Sequence, residues 1–230
     1  MKKFEDIKIV ACVMIHDDEY SKLVLEDLSK YVDEIYVNLN NPSEPIKEIV
    51  KNCPKIVKII NTTNKRNWNQ GLQRDNTIRM LDDIKPDIVL FPDSDETYPK
   101  NLKEQLKDFW EKEKKKTFWF RLLYLWEDDK HYRNDGIWKA IHHVRAFKWQ
   151  PDIKYIPYAG YACPTTYINL PRETRYNSDT PTLHYGYMTE KNRGWKYQRV
   201  GPGYDALRHR RYEEDSKKNL IVKEVKEKHL

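Results

Sequence analysis

Apolar and polar positions fall in blocks along this chain. Ile9–Ile15 is apolar without a break, which predicts a strand covered on both faces. His16-Asp17-Asp18-Glu19 then forms a polar loop at its carboxyl end. Leu23, Val24, Leu25, Leu28, Tyr31 and Val32 recur at helical spacing, so a helix follows. A second strand is expected over Glu34–Leu39, closed by the turn-rich Asn40-Asn41-Pro42-Ser43. A short helix over 45–52, a third strand over 56–60, a polar loop over 61–69 and a helix over 70–83 come next. The fourth apolar run is Ile88-Val89-Leu90-Phe91. Four strands alternating with three helices predict an α/β fold, with a mostly parallel central sheet and helices on both faces.

The second half is less regular. Pro99 suits the first turn of a helix carrying Leu102, Leu106, Phe109 and Trp110. Residues 117–126 read as an aromatic strand, 127–135 as a charged loop, and 137–149 and 153–158 as strand-like runs. Leu183-His184-Tyr185-Gly186-Tyr187 is short and aromatic. A helical pattern begins near Thr189 and is broken by Gly201-Pro202-Gly203, and the tail from Tyr204 predicts one or two polar helices. With no repeat, linker or low-complexity segment, residues 1–230 read as one domain.

Composition narrows the class. At 39% apolar and 34% charged residues the chain resembles a globular protein rather than a membrane one. No apolar run approaches the roughly 18 residues that span a bilayer, and no signal-peptide core follows the Met-Lys-Lys start. Cys12, Cys53 and Cys163 are too widely spaced for a zinc pattern or a disulfide framework. A reducing, cytoplasmic setting is the expectation. The formal charge is +6, and residues 191–230 hold 12 Lys/Arg against 6 Asp/Glu. Such a basic tail reads as a solvated helix face, or as a dock for a membrane surface or nucleic acid.

The chemistry concentrates where the fourth strand ends, at Asp93-Ser94-Asp95-Glu96. On extended backbone Asp93 and Asp95 point the same way. Convergent carboxylates repel unless protonated or bridged, and a hard divalent cation bridges them. The alternative is a solvated acidic turn capping the next helix. The carboxyl ends of strands in an open α/β sheet are also where ligands bind.

Four segments in order resemble a family-2-type glycosyltransferase with the GT-A fold. They are Met14-Ile15-His16-Asp17-Asp18-Glu19, Asn40-Asn41-Pro42-Ser43, Asn69-Gln70-Gly71-Leu72-Gln73-Arg74-Asp75-Asn76 and Asp93-Ser94-Asp95-Glu96. The match covers residues 7–100. Later, His184-Tyr185-Gly186-Tyr187-Met188 with Lys191, Arg193 and Lys196-Tyr197 is similar to the closing segment of that family. The resemblance implies that residues 1–100 bind a nucleotide-sugar donor, foremost a UDP-sugar, and that residues 101–230 face the acceptor. It implies a metal held by Asp93, Asp95 and His184. Nitrogen ligation favours Mn²⁺ over Mg²⁺. Donor contacts are expected from Ile15, Glu19, Asn40, Arg74, Asp93 and Ser94, with Lys65 and Arg66 in reach of phosphate. His184 reads otherwise as a histidine bonded into an aromatic core, and Arg74 as an ordinary ion pair. Asn40 replaces the family's Asp, which leaves the nucleotide open.

An inverting transfer needs a carboxylate base. Asp128 in Glu127-Asp128-Asp129 is the first choice, with Asp135 and Asp152 as rivals. Trp126, Tyr132, Trp138, Trp149, Tyr155, Tyr158 and Tyr161 suit a sugar acceptor, on a glycan or lipid-linked glycan. A hydroxylated DNA base is a second acceptor class, and a nucleotidyltransferase or a non-catalytic nucleic-acid-binding protein are readings from other classes.

Overall fold

Each unbroken apolar run is a strand of the central sheet, and the packing shows why it has no polar face. In the computed structural model, which describes residues 2–16, 18–62, 70–155, 168–199 and 221–226, the first strand β1 is Ile9–Ile15. Its Ile9, Ala11, Val13 and Ile15 enter one core cluster, while Val10 and Cys12 enter the other. The same alternation governs β2 (Glu34–Leu39), where Ile35, Val37 and Leu39 face one core and Tyr36 the other. In β4 (Ile88–Leu90), Ile88 and Leu90 face the first core and Val89 the second. Helices α1 (Ser21–Leu28), α2 (Glu44–Lys51) and α4 (Leu102–Glu111) cover the first core. Helix α3 (Gln70–Arg79) contributes Ile78 to the second core. The fold is therefore α/β, with helices on both faces of the sheet.

The strands β1, β2, β4 and β3 (Ile56–Asn61) pair in parallel in the order β3-β2-β1-β4. Beyond β4 the direction changes. Strand β8 (His142–Lys148) lies antiparallel to β4, with Leu90 opposite Ala146. Strand β6 (Thr117–Trp126) follows β8, and β7 (Asp128–Arg133) follows β6. Three short strands complete this half: β5 (Glu96–Thr97), β9 (Arg175–Asn177) and β10 (Thr182–His184). Strand β10 runs parallel to β6 and antiparallel to β5.

Several expectations change. The strand expected over 137–149 begins as a 3₁₀ turn at Gly136–Lys139, and only His142–Lys148 pairs as a strand. The charged stretch 127–135 is a hairpin strand and not a loop. Glu127 takes a positive φ of 72° at the turn, and β7 then pairs with β6 on one side and β11 (Val222–Glu224) on the other. Its charges are tolerated because β7 lies outside both large cores. The tail contains this β11 strand where helices are expected, and its residues 204–220 and 227–230 lie outside the described residues. Pro99 precedes α4 by a turn, its carbonyl accepting the Leu102 N–H at 2.9 Å. The helix predicted near Thr189 is α5 (Glu190–Arg199). Among the described residues no helix is long and apolar enough to cross a membrane.

Candidate functional site

The carboxyl ends of β1, β2 and β4 meet in one place. Met14 and Asp93 form a parallel bridge there, and the Asn40 N–H donates to the Ile15 carbonyl at 2.9 Å. The His16 Nδ1 lies 2.5 Å from the Asn40 carbonyl oxygen. Asn40 is buried, and its side-chain amide donates to the Thr62 carbonyl at 2.7 Å. The Ser94 hydroxyl donates to Asp18 Oδ2 at 3.2 Å, tying the first loop to the acidic turn. Ile15, Asn40 and Ser94 thus lie together. Asp17, Lys65 and Arg66 lie outside the described residues.

Three acids within four positions raise a charge problem, which two buried arginines largely solve. Arg74 pairs with Asp93 Oδ1. Arg145 on β8 reaches Asp93 Oδ2 at 2.7 Å and grips both oxygens of Glu96. Both guanidiniums are only 1% exposed, so these are low-dielectric contacts. Burial opposes ionisation of Asp93, but Arg145 and Arg74 outweigh it and hold the carboxyl well below its usual range. Glu96 is pushed up to about 7, first by burial, against the pull of Arg145 and with the push of Asp93. Arg74 also lies over the Phe91 ring at 4.9 Å and the Tyr155 ring at 5.6 Å.

Asp95 turns a different way. The chain leaves extended geometry after Asp93, so the two-residue spacing does not align the two acids. The buried Asp95 faces His184, with Oδ1 3.7 Å from Nε2. Pairing of β5 with β10 sets His184 opposite Glu96, and the Tyr185 N–H donates to the Asp95 carbonyl at 2.8 Å. Ligand atoms of Asp95, Glu96 and His184 all lie within 4.8 Å of one another. Two carboxylates and an imidazole suit a divalent ion that accepts both oxygen and nitrogen. The Gly186 N–H donates to His184 Nδ1 at 3.1 Å, so the neutral ring carries its proton on Nε2. Ligation through Nε2 requires that proton to move to Nδ1 and the Gly186 contact to open.

The remaining candidates separate. Glu19 lies at the rim, 4.0 Å from Lys191 at the start of α5. Next to it the Asn192 amide donates to the Tyr20 hydroxyl at 2.9 Å, and Tyr20 lies 5.3 Å from Tyr185. Asp128 is half-exposed on the β6–β7 turn, where it accepts from the Lys130 and His131 N–H groups and sits 2.8 Å from His131 Nδ1. That His131 contact and the backbone bonds lower its pKa. Asp135 is buried and held by Arg133 through two bonds of 2.9 and 3.0 Å. Arg133 itself lies between Trp126 and Trp138, at 5.0 and 4.9 Å.

Of the aromatic set, Trp138 packs beside His184, together with Tyr124 and Tyr187 from outside that set, and Tyr124 lies 4.6 Å from the His184 ring. Tyr155 is buried in the second core beneath Arg74, so it serves packing and not an acceptor. Tyr158 and Tyr161 and the side chains of Lys196 and Tyr197 lie outside the description. Sequence reasoning missed Arg145, Glu96 as a charge partner, and His143. An Arg set between the apolar Val144 and Ala146-Phe147 was the available signal for the first.

No family model and no curated protein matches the chain. Among solved structures, it is similar to TarS of S. aureus at 15% identity and a TM-score of 0.42, covering 62% of this chain and 28% of that one. A TarS fragment, residues 1–349, in complex with UDP-GlcNAc is similar at 18% identity and a TM-score of 0.38, over 52% of this chain and 34% of that one. A CMP:2-keto-3-deoxy-manno-octonic acid synthetase with CTP is similar at 14% identity and 0.37, over 51% and 52%. This chain spans well under two thirds of the TarS length it is matched to.

Proposed function

We propose that the protein is a metal-dependent glycosyltransferase that moves a hexose from a nucleotide-diphosphate sugar to an acceptor hydroxyl. One observation carries this reading. The buried Asp95–Glu96–His184 cluster lies at the carboxyl ends of parallel strands, beside two buried arginines. The four sequence segments that resemble family-2-type glycosyltransferases supply the donor class, with UDP the first nucleotide to test.

In this reading the nucleoside packs on the backbone of Ile15 and on Asn40, near Ser94, and Glu19 and Lys191 close the rim. Asp95 and His184 hold the ion, foremost Mn²⁺, with Asp93 beside them. An ion held by these residues would supply charge neutralisation to the leaving diphosphate. Arg74 shares its guanidinium between Asp93 and the diphosphate. That would free Asp93 Oδ1 to turn toward the ion while Arg145 keeps its hold on Oδ2. Tyr187, only partly buried against the core rings of Tyr124 and Trp138, offers a ring face to a glycan or lipid-linked acceptor.

Asp128 is the proposed base. It is exposed and adjoins the end of β6, whereas Asp135 is committed to Arg133. His131 against its carboxylate keeps it ionised, ready to accept a proton.

Binding of UDP, GDP, CDP and ADP, with and without Mn²⁺, tests the donor half by thermal melting. One diphosphate should stabilise the protein only with metal, and Asp95→Ala should abolish that shift. If none does in the wild type, the reading fails. Asp128→Asn should lower transfer by about 10²–10⁴-fold while donor binding persists. Unchanged transfer would move the base elsewhere.

A further inference from the structure

His143 belongs to β8, and the proposed function gives it no role. The β4–β8 register places Leu90 opposite Ala146, and the Phe91 N–H donates to the Arg145 carbonyl at 2.8 Å. Carried two residues further, that register brings His143 level with Asp93. On its other side His143 is opposite Phe120 of β6, the strand whose Tyr124 lies opposite His184. The imidazole therefore occupies the wall between the Asp93 end of β4 and the His184 end of β10.

Its surroundings agree with that placement. Arg145, Asp93, His184 and Arg74 all act on the ring electrostatically, so it borders the charge network. Burial first, and Arg145 next, push its pKa down to about 3, which leaves the ring neutral near pH 7. A neutral imidazole has one donor and one acceptor to satisfy. The His143 Nδ1 is closed off from solvent and has no hydrogen-bond partner among the described residues. Buried polar groups are nearly always partnered, so a lone one beside a binding site points to a missing ligand.

We infer that His143 is a positioning and specificity-determining residue that hydrogen-bonds the transferred sugar of the donor. The nucleoside has its place at Ile15 and Asn40, and the diphosphate at Arg74 and the ion. The sugar is the donor part left to reach the wall between Asp93 and His184. A neutral donor–acceptor side chain suits a sugar hydroxyl or acylamino group, whereas a charged one suits phosphate. This inference rests on the nucleotide-sugar reading.

Calorimetry with Mn²⁺ present separates the two. UDP, UDP-glucose and UDP-N-acetylglucosamine are titrated into the wild type, His143→Ala and His143→Gln. The wild type should bind UDP and at least one UDP-sugar. His143→Ala should hold UDP within about twofold while losing about tenfold or more for that UDP-sugar, the loss of one good hydrogen bond. His143→Gln, which keeps a donor and an acceptor, should recover part of the difference.

An equal loss for UDP and UDP-sugar in both variants would make His143 structural and overturn the inference. So would an unchanged UDP-sugar affinity. If His143→Ala does not fold, His143→Gln carries the same comparison against wild type. A wild type that binds UDP but no UDP-sugar sinks the sugar contact alone. A wild type that binds nothing sinks the donor reading, and this inference falls with it.

Discussion

Among the described residues, two buried arginine–carboxylate clusters are built differently. Arg133 and Asp135 form a closed pair of one charge each, bidentate and flanked by Trp126 and Trp138. Arg74 and Arg145 face three acids, Asp93, Asp95 and Glu96, and grip only two of them. Asp95 is turned instead to a histidine from another strand. The first arrangement is charge-balanced and explains itself as structure. The second carries a surplus carboxylate at the end of parallel strands. Burial and pairing alone do not mark a functional site; an unbalanced remainder that converges on one point does.

The largest expected effect breaks the site cluster. Arg145→Ala leaves Glu96 buried without its charge partner and Asp93 with only Arg74, and should cost about 3–5 kcal/mol in urea unfolding. Arg133→Ala should cost a similar amount, about 3 kcal/mol, because it too strands a buried carboxylate. The clusters should differ when both partners go. Arg133→Met with Asp135→Leu should regain most of the loss and leave nucleotide binding intact. Arg145→Met with Glu96→Leu should lose binding whatever its stability. If the paired replacement at Arg133 also abolishes nucleotide binding, the closed pair is part of the site.

Asp95→Asn sharpens the comparison at a smaller scale. It removes the surplus charge that presses on Glu96, so the unliganded protein should be as stable as wild type or more so. It should forfeit the roughly 2.7 kcal/mol that UDP with Mn²⁺ adds at a hundred times its Kd. A variant that keeps that ligand stabilisation would remove Asp95 from the metal site.

The smallest effect is in the pH dependence. His143, held near 3 in the fold against an ordinary 6.5, binds a proton in the unfolded chain before it does in the native one. Its contribution is therefore complete above pH 6.5 and is lost as pH falls toward 3. Asp93, held low, adds to the same acid limb below its ordinary 3.8. Glu96 opposes them, since its raised value lends stability below 4.5 that fades as pH rises through 7. Stability of His143→Gln, measured from pH 3 to 7 beside wild type, should show a shallower fall on acidification. An unchanged slope would mean His143 is charged in the fold.

Local pattern determined a good deal of this protein. The bounds of β1 and β2, the helices after them, and the acidic turn after β4 follow from apolar runs and turn residues, because a doubly covered strand and a helix each leave a short-range signature. Asn40 at a strand end was legible for the same reason. Tertiary structure decided what could not be read locally. Charge made 127–135 look like a loop, yet β6 and β11 supply the backbone partners that make it a strand. Spacing alone set Asp93 and Asp95 side by side, but the turn between them sends one to arginines on α3 and β8 and the other to a histidine on β10. Arg145 and His184 lie far away in sequence, and the antiparallel half of the sheet brings them in, while Arg74 comes from α3. A carboxylate's chemistry depends on the few charges within several ångströms of it, and chain order does not specify that distance.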